Sequence, residues 1–250
     1  GITSVYEDRN IAVYEKPCGI HTSFNLNTPE EERSQTLLAR VFAARPALAK
    51  VQGWQEHEGG LLHRLDYETS GLVAFAKTQD VFQRLVKEGA MTKHYLATVK
   101  PDPNLIELIP DSQNQWREGK LFGGTPTPRL EGKSFKIRSS FTTKRSTPNK
   151  VYPTMQAEPD SKIGFYVTSC QILRVHKENI LLYAKIYSGF RHQIRAHVAS
   201  VGLPIIDDTK YGTYQDEVEN ESIQLHALSI MLTVPGLYQG FEIATTVPPR

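Results

Sequence analysis

The sequence predicts an α+β fold, a single domain built on a mixed, mostly antiparallel sheet flanked by helices. Three observations carry that expectation. Strand-like and helix-like segments mix without the regular βαβ alternation of a parallel sheet. Several apolar runs are too short and continuous to be amphipathic helices. The 250 residues are 39% hydrophobic, ample material for a core.

The elements follow in order. Residues 10–21, NIAVYEKPCGIH, begin with an apolar run and end at Pro17 and Gly19, a strand and then a turn. SQTLLARVFAARPALAK places Leu37, Leu38, Val41 and Phe42 at helical spacing, and Pro46 ends or kinks that helix. GLVAFAK (71–77) reads as a buried strand. TQDVFQRLVKEG (78–89) reads as a helix, with Thr78 as its cap, Val81, Phe82, Leu85 and Val86 on one face, and Gly89 as its stop. KHYLATVK (93–100) alternates as a strand does. Residues 101–162 are rich in Pro, Ser and Thr and read as irregular loops with short strands. GFYVTSCQILRV and NILLYAKIYSG form a strand pair across HKEN, and FRHQIRAHVASVG is a helix stopped by Gly202. IQLHALSIMLTVP is a late strand or strand pair.

Composition excludes several classes. No stretch approaches the roughly 18 consecutive apolar residues of a membrane span. The first residues hold acids and no apolar signal core, so a cytoplasmic protein is expected. Two cysteines, Cys18 and Cys170, form neither a disulfide framework nor a zinc motif. The net charge is +2 but uneven: residues 116–150 hold nine Lys or Arg against Glu118 and Glu131, net +7, leaving −5 elsewhere. Such a stripe suits a polyanionic partner, or it is a solvated loop.

Chemistry-bearing residues concentrate at HRLD (63–66), KHY (93–95) and RHQIRAH (191–197). His192 and His197 are five apart, about 140° around a helix, and no HExxH or cysteine cluster exists, so no metal is expected. A G-x-S-x-G elbow and the standard glycine-rich phosphate loops are also missing. Asp66 remains. A carboxylate is a covalent nucleophile if it is kept ionised and aimed. Burial would raise its pKa, and a guanidinium would lower it again. From spacing alone Arg195 reads as an exposed helix charge. It also lies at the edge of the Ile194, Val198, Val201 stripe, from which it could reach inward.

HRLDYETSGLVAFAK resembles the signature of the RluA-type RNA pseudouridine synthases. IAVYEKPCGIH resembles that family's strand and Lys-Pro-x-Gly turn, and KHYLATV its Lys-x-Tyr-x-Ala motif. SGFRHQIRAHVASVGLPIIDDTKYG, followed by LHALSIMLTVP, resembles its Gly-Arg-x-His-Gln-Ile-Arg-x-His segment and Leu-His-Ala strand. The four motifs stand in family order and cover the chain except about 101–162.

The resemblance implies one catalytic domain over 1–250 with a central cleft, a variable basic segment at about 101–162, and no separate N-terminal RNA-binding domain. It implies isomerisation of uridine to pseudouridine in ribosomal or transfer RNA by a monomer, without cofactor or metal. Asp66 is then the nucleophile, attacking either the sugar or the ring. Tyr95 packs on the base and is a candidate to take the carbon-5 proton. Arg195 pairs with the aspartate, and Arg64 helps displace the flipped nucleotide. His63, Arg191, His192, Lys144 and Arg145 join the RNA-contacting set, with His63 and Thr69 expected to support the Asp66 loop by hydrogen bonds. Two departures from the family pattern stand out. Ser188-Gly189-Phe190 replaces Thr-Gly-Arg, with Arg191 one place later, and Asp207-Asp208 replaces Gly-Asp. Two rival readings remain: an RNA-binding module of the same fold without activity, and a hydrolase using Asp66 with His63 or His192.

Overall fold

The computed structural model describes residues 2, 4–87, 91–102, 128–156, 164–212 and 222–245. The fold is α+β, with mostly antiparallel strands flanked by few helices, and the chain divides into two compact units. The first holds residues 1–93 and 227–248; the second holds 94–226 and the last two residues.

In the first unit the strands run in the order β1 (Ser4–Glu7), β2 (Ile11–Lys16), β3 (Ser70–Ala76), β9 (Leu225–Val234), with β10 (Tyr238–Ala244) paired to β9. β2 pairs antiparallel with β3 from Ile11 opposite Ala76 to Lys16 opposite Gly71. That register delivers the end of β2 beside the start of β3, where the Asp66 turn enters. β3 is buried on nearly every residue, as its unbroken apolar run requires. Gly71 is obligatory there: its φ is +119°, and a Cβ would lie 2.3 Å from the Ala227 carbonyl oxygen. Helix α3 (Gln79–Lys87) starts under a hydrogen bond from Val81 N–H to Thr78 Oγ1 and buries Val81, Phe82 and Leu85. These join Ile11, Val13, Leu72, Ile230, Leu232 and Ile243 in the core of this unit. The helical segment at 30–50 is divided. α1 (Glu30–Gln35) and α2 (Leu37–Ala44) meet at Thr36, whose hydroxyl caps α2 through Ala39 N–H, and Pro46 opens a 3₁₀ turn over Pro46–Lys50.

In the second unit the strand order is β4 (Met91–Val99, from His94 onward), β8 (Asn179–Ile186), β7 (Tyr166–His176), β5 (Ser134–Lys144), β6 (Thr147–Thr154). The expected pair β7–β8 turns at Lys177, with φ +53°. Residues 134–154 overturn the expectation of short strands in loops, since β5 is an 11-residue strand paired with both β6 and β7. Phe135, Ile137, Ser139 and Phe141 alternate inward along it, a period-2 signal hidden by Lys136 and Arg138 between them and by the buried pair Ser139 and Ser140. Helix α4 (Gln193–Ser200) is buried along its whole length and contributes Ala196 and Ala199 to a core with Phe141, Val151 and Tyr211. Among the described residues no helix is long and apolar enough to cross a membrane.

Candidate functional site

Asp66 sits in a turn clamped by main-chain bonds on both sides. Upstream, the buried Thr22 hydroxyl donates to the Leu65 carbonyl at 2.8 Å and accepts from Leu65 N–H at 3.0 Å. Downstream, the Tyr67 carbonyl accepts from Gly19 N–H at 3.0 Å and from Lys16 Nζ at 3.2 Å. Asp66 itself closes the turn by accepting Thr69 N–H at its carbonyl, 3.1 Å away. The turn after β2 thus grips the residue before and the residue after Asp66, whose side chain is half-buried.

Lys16 is the pin of that grip. It is fully buried, and its ammonium also donates to the Pro17 and Ile20 carbonyls at 2.8 and 2.9 Å. Burial pushes its pKa down to about 8, against smaller opposing pulls from Cys18, Asp66 and Glu68. Thr22 and Lys16 are supports of the Asp66 turn that sequence reasoning missed. Only the Lys-Pro-x-Gly resemblance touched Lys16.

His63 accepts Ala74 N–H at Nε2, 3.2 Å, beside the bridge from Leu61 to Phe75. Burial, with help from the nearby Lys93 charge, pushes its pKa down to about 3, so the imidazole stays neutral. A ring nitrogen already holding a backbone amide is poorly placed to serve Asp66 as a general base, which weighs against the form of the hydrolase rival that uses His63. The Thr69 hydroxyl has no partner among the described residues, so Thr69 supports the loop by its backbone and not by its side chain. Arg64 is largely exposed and forms an ion pair at 3.5 Å with Glu58, whose carboxylate is buried.

The second unit holds Tyr95, Arg191, His192, Arg195, Lys144 and Arg145. Tyr95 is buried on β4. Further along the same strand, Thr98 and Val99 are stitched to the loop after α4. Ile206 N–H reaches the Thr98 carbonyl at 2.9 Å, and Val99 bridges Ile205. That loop carries Asp207 and Asp208. Asp207 occupies the left-handed region with φ +67°, the conformation a glycine would supply and one that Asp tolerates better than most residues. The Gly-to-Asp departure therefore preserves the turn.

Asp208 is the residue this turn exists to present. Its carboxylate takes Arg195 in a two-pronged ion pair, Nε to Oδ2 and Nη2 to Oδ1, both 2.8 Å. Both side chains are buried, Arg195 1% and Asp208 0% exposed. Oδ1 also accepts Lys210 and Tyr211 N–H. Arg195 is thus a buried, oriented cation and not the exposed helix charge that spacing alone favours. The Tyr211 ring lies 5.5 Å from its guanidinium, and the Tyr211 hydroxyl meets Val151 N–H at 2.8 Å and His192 Nδ1 at 3.0 Å.

The structure joins Arg191 to the β5–β6 hairpin through a hydrogen bond to the Pro148 carbonyl at 2.9 Å, so the basic hairpin and the start of α4 form one surface. Lys144 lies over the Tyr152 ring at 4.0 Å, and Lys150 lies over Tyr211 at 5.0 Å. Arg145 is exposed at the hairpin turn. His197 plays no part in that surface. It is bracketed by Ser139 and Thr168 hydroxyls, each at 2.8 Å, and burial pushes its pKa down to about 3.

Residues 10–200 match the family model for RNA pseudouridylate synthase. An uncharacterized RNA pseudouridine synthase of Aquifex aeolicus (strain VF5) is 29% identical over 230 residues, covering 90% of this chain and 60% of its own. Ribosomal large subunit pseudouridine synthase C of Rickettsia bellii (strain RML369-C) is 25% identical over 230 residues, covering 92% and 63%. The chain spans less than two thirds of the length of these curated relatives. Among solved structures, human RNA pseudouridylate synthase domain containing 1 matches with TM-score 0.64 at 17% identity, over 99% of this chain and 84% of its own, a likeness of fold.

Proposed function

The chain belongs to the RNA pseudouridylate synthase family, and from that premise we propose that it isomerises specific uridines to pseudouridine in ribosomal or transfer RNA. The observation that carries this reading is the double clamp on Leu65 and Tyr67, which fixes the backbone of Asp66 independently of its carboxylate. A nucleophile misplaced by about 1 Å loses about 10²-fold in rate, so such bracing suits a reagent better than a surface ion pair.

In this reading Asp66 attacks the sugar or the ring, uracil leaves, rotates and rejoins through carbon 5, and the RNA keeps its mass. Arg195, oriented by Asp208, keeps Asp66 ionised. Tyr95 packs on the base and is the candidate to take the carbon-5 proton. The exposed Arg64 helps displace the target nucleotide. The base must leave its stack for the ring to turn, which costs a few kcal/mol and least in loops, so looped or single-stranded RNA is the expected target. The chain acts as one catalytic domain, a monomer in the cytoplasm, with no cofactor or metal.

A pseudouridine map of total RNA by carbodiimide-stop sequencing, from cells with and without the gene, tests this. Loss of a discrete site, restored by the wild-type gene, is expected. An unchanged map alongside demonstrable RNA binding would favour an inactive binding module, the reading suggested by the altered 188–191 stretch.

The β5–β6 hairpin supplies affinity and not sequence readout, because charge alone does not distinguish bases. Reversing charge at Lys144, Arg145 and Lys150 is expected to weaken RNA binding most at low salt. Each lost phosphate contact should flatten the slope of log K against log salt by about 0.7 to 0.9. A slope equal to wild type would return the hairpin to a solvated surface.

A further inference from the structure

The stretch in which this chain departs from its family's pattern builds a platform of rings. Phe190 stands where the resemblance expects an arginine. Its ring stacks on Phe141 with centroids 4.9 Å apart and planes within 8°. Tyr166 leans on both, 5.1 Å from Phe190 and 5.8 Å from Phe141, and His197 packs on Phe141 at 4.8 Å. The backbone beneath is locked. Phe190 N–H donates to Gln193 Oε1 at 3.0 Å, and the Phe190 carbonyl accepts Gln193 N–H at 3.1 Å. The Gln193 amide is fixed in turn by the Val167 carbonyl and the Thr168 hydroxyl, both at 3.2 Å. Despite this support Phe190 remains 36% exposed.

Cations are interleaved with rings across the same unit. The Arg138 guanidinium lies 3.9 Å from the Phe165 ring centroid. Lys144 and Lys150 lie over Tyr152 at 4.0 and 5.3 Å, and Arg191 follows Phe190 directly in the chain. An exposed, rigid ring among cations is the chemistry of unpaired nucleic acid, in which bases stack on rings while phosphates meet the charges. A purely apolar partner would not complement the positive charge of this surface.

We propose that Phe190 is a stacking platform for one unpaired base of the RNA, so that this chain holds by stacking what an arginine would hold by charge. The inference rests on the reading of RNA as substrate. It adds a preference for an unpaired segment at this surface and a contact that salt does not screen.

The test uses the full chain and a fluorescein-labelled oligouridine of about twelve nucleotides, followed by anisotropy over a range of salt. Phe190→Ala and Phe190→Leu are each expected to weaken binding about fivefold or more, with an unchanged salt slope. Phe190→Trp is expected to bind at least as tightly as wild type. If Phe190→Ala fails to fold, the Leu and Trp variants decide, since both keep apolar cover over Phe141. A Leu variant that binds like wild type, a Trp variant that loses as much as Leu, or a loss accompanied by a flatter salt slope would each overturn the platform. Absence of oligouridine binding by a wild-type chain that forms pseudouridine in cells would also overturn it while leaving the proposed activity intact. The predicted variant pattern in a chain that forms none would uphold the platform and reject the activity.

Discussion

Asp66→Asn is expected to lower turnover by at least about 10⁴-fold while leaving the fold and RNA affinity close to wild type. The size follows from the role. Asn matches Asp in shape but is a far weaker nucleophile, so the covalent step has no substitute. Preservation of the fold follows from the geometry. The bonds from Thr22, Gly19 and Lys16 to Leu65 and Tyr67, and that from Thr69 N–H to the Asp66 carbonyl, all end on main chain, so the substitution leaves them in place. The measurement is pseudouridine formation on total RNA from the deletion strain, with thermal unfolding and RNA binding run beside it. A residual rate near wild type would reject Asp66 as the nucleophile. A large drop in melting temperature would show instead that the carboxylate holds the fold.

The fold was readable where burial imposes a simple period. β3 shows as an unbroken apolar run because both its faces are covered, and α3 because Thr78, Val81, Phe82 and Leu85 place a cap and a face in one window. The β5–β6 hairpin was not readable in the same way, because Pro, Ser, Thr and Lys on its exposed positions dilute an alternation that only Phe135, Ile137 and Phe141 carry. Helix α4 shows a different failure. Its stripe is visible, but spacing alone favours an exposed place for Arg195, because the partner lies 13 residues on, beyond a turn. Side-chain spacing within a helix carries no information about a carboxylate arriving from a loop. The same limit hid Lys16 and Thr22. Lys16 donates to a carbonyl 51 residues away and Thr22 to one 43 residues away, distances at which no local pattern speaks.

Asp208→Asn is expected to destabilise the protein by about 3–5 kcal/mol, a fall in melting temperature on the order of 10 °C. Removing one partner of a buried ion pair leaves the other charged and unsolvated, and here both members are essentially inaccessible. Asn retains an oxygen for Lys210 and Tyr211 N–H, so the loss reports on the Arg195 pair and not on the turn. A second variant separates charge from packing. Arg195→Met combined with Asp208→Asn removes both charges together, keeps an oxygen for Lys210 and Tyr211 N–H, and is expected to recover much of the stability lost by Asp208→Asn alone, since no unpaired charge stays buried. That double variant should still be inactive, because it lacks the Arg195 cation to which the proposed mechanism assigns a role. Thermal unfolding and pseudouridine formation on the three chains therefore split the two roles of this pair. Stability should depend on whether the charges match, and turnover on whether Arg195 is present. An Asp208→Asn protein within about 1 kcal/mol of wild type would mean that Arg195 finds enough support elsewhere and that Asp208 is not its anchor.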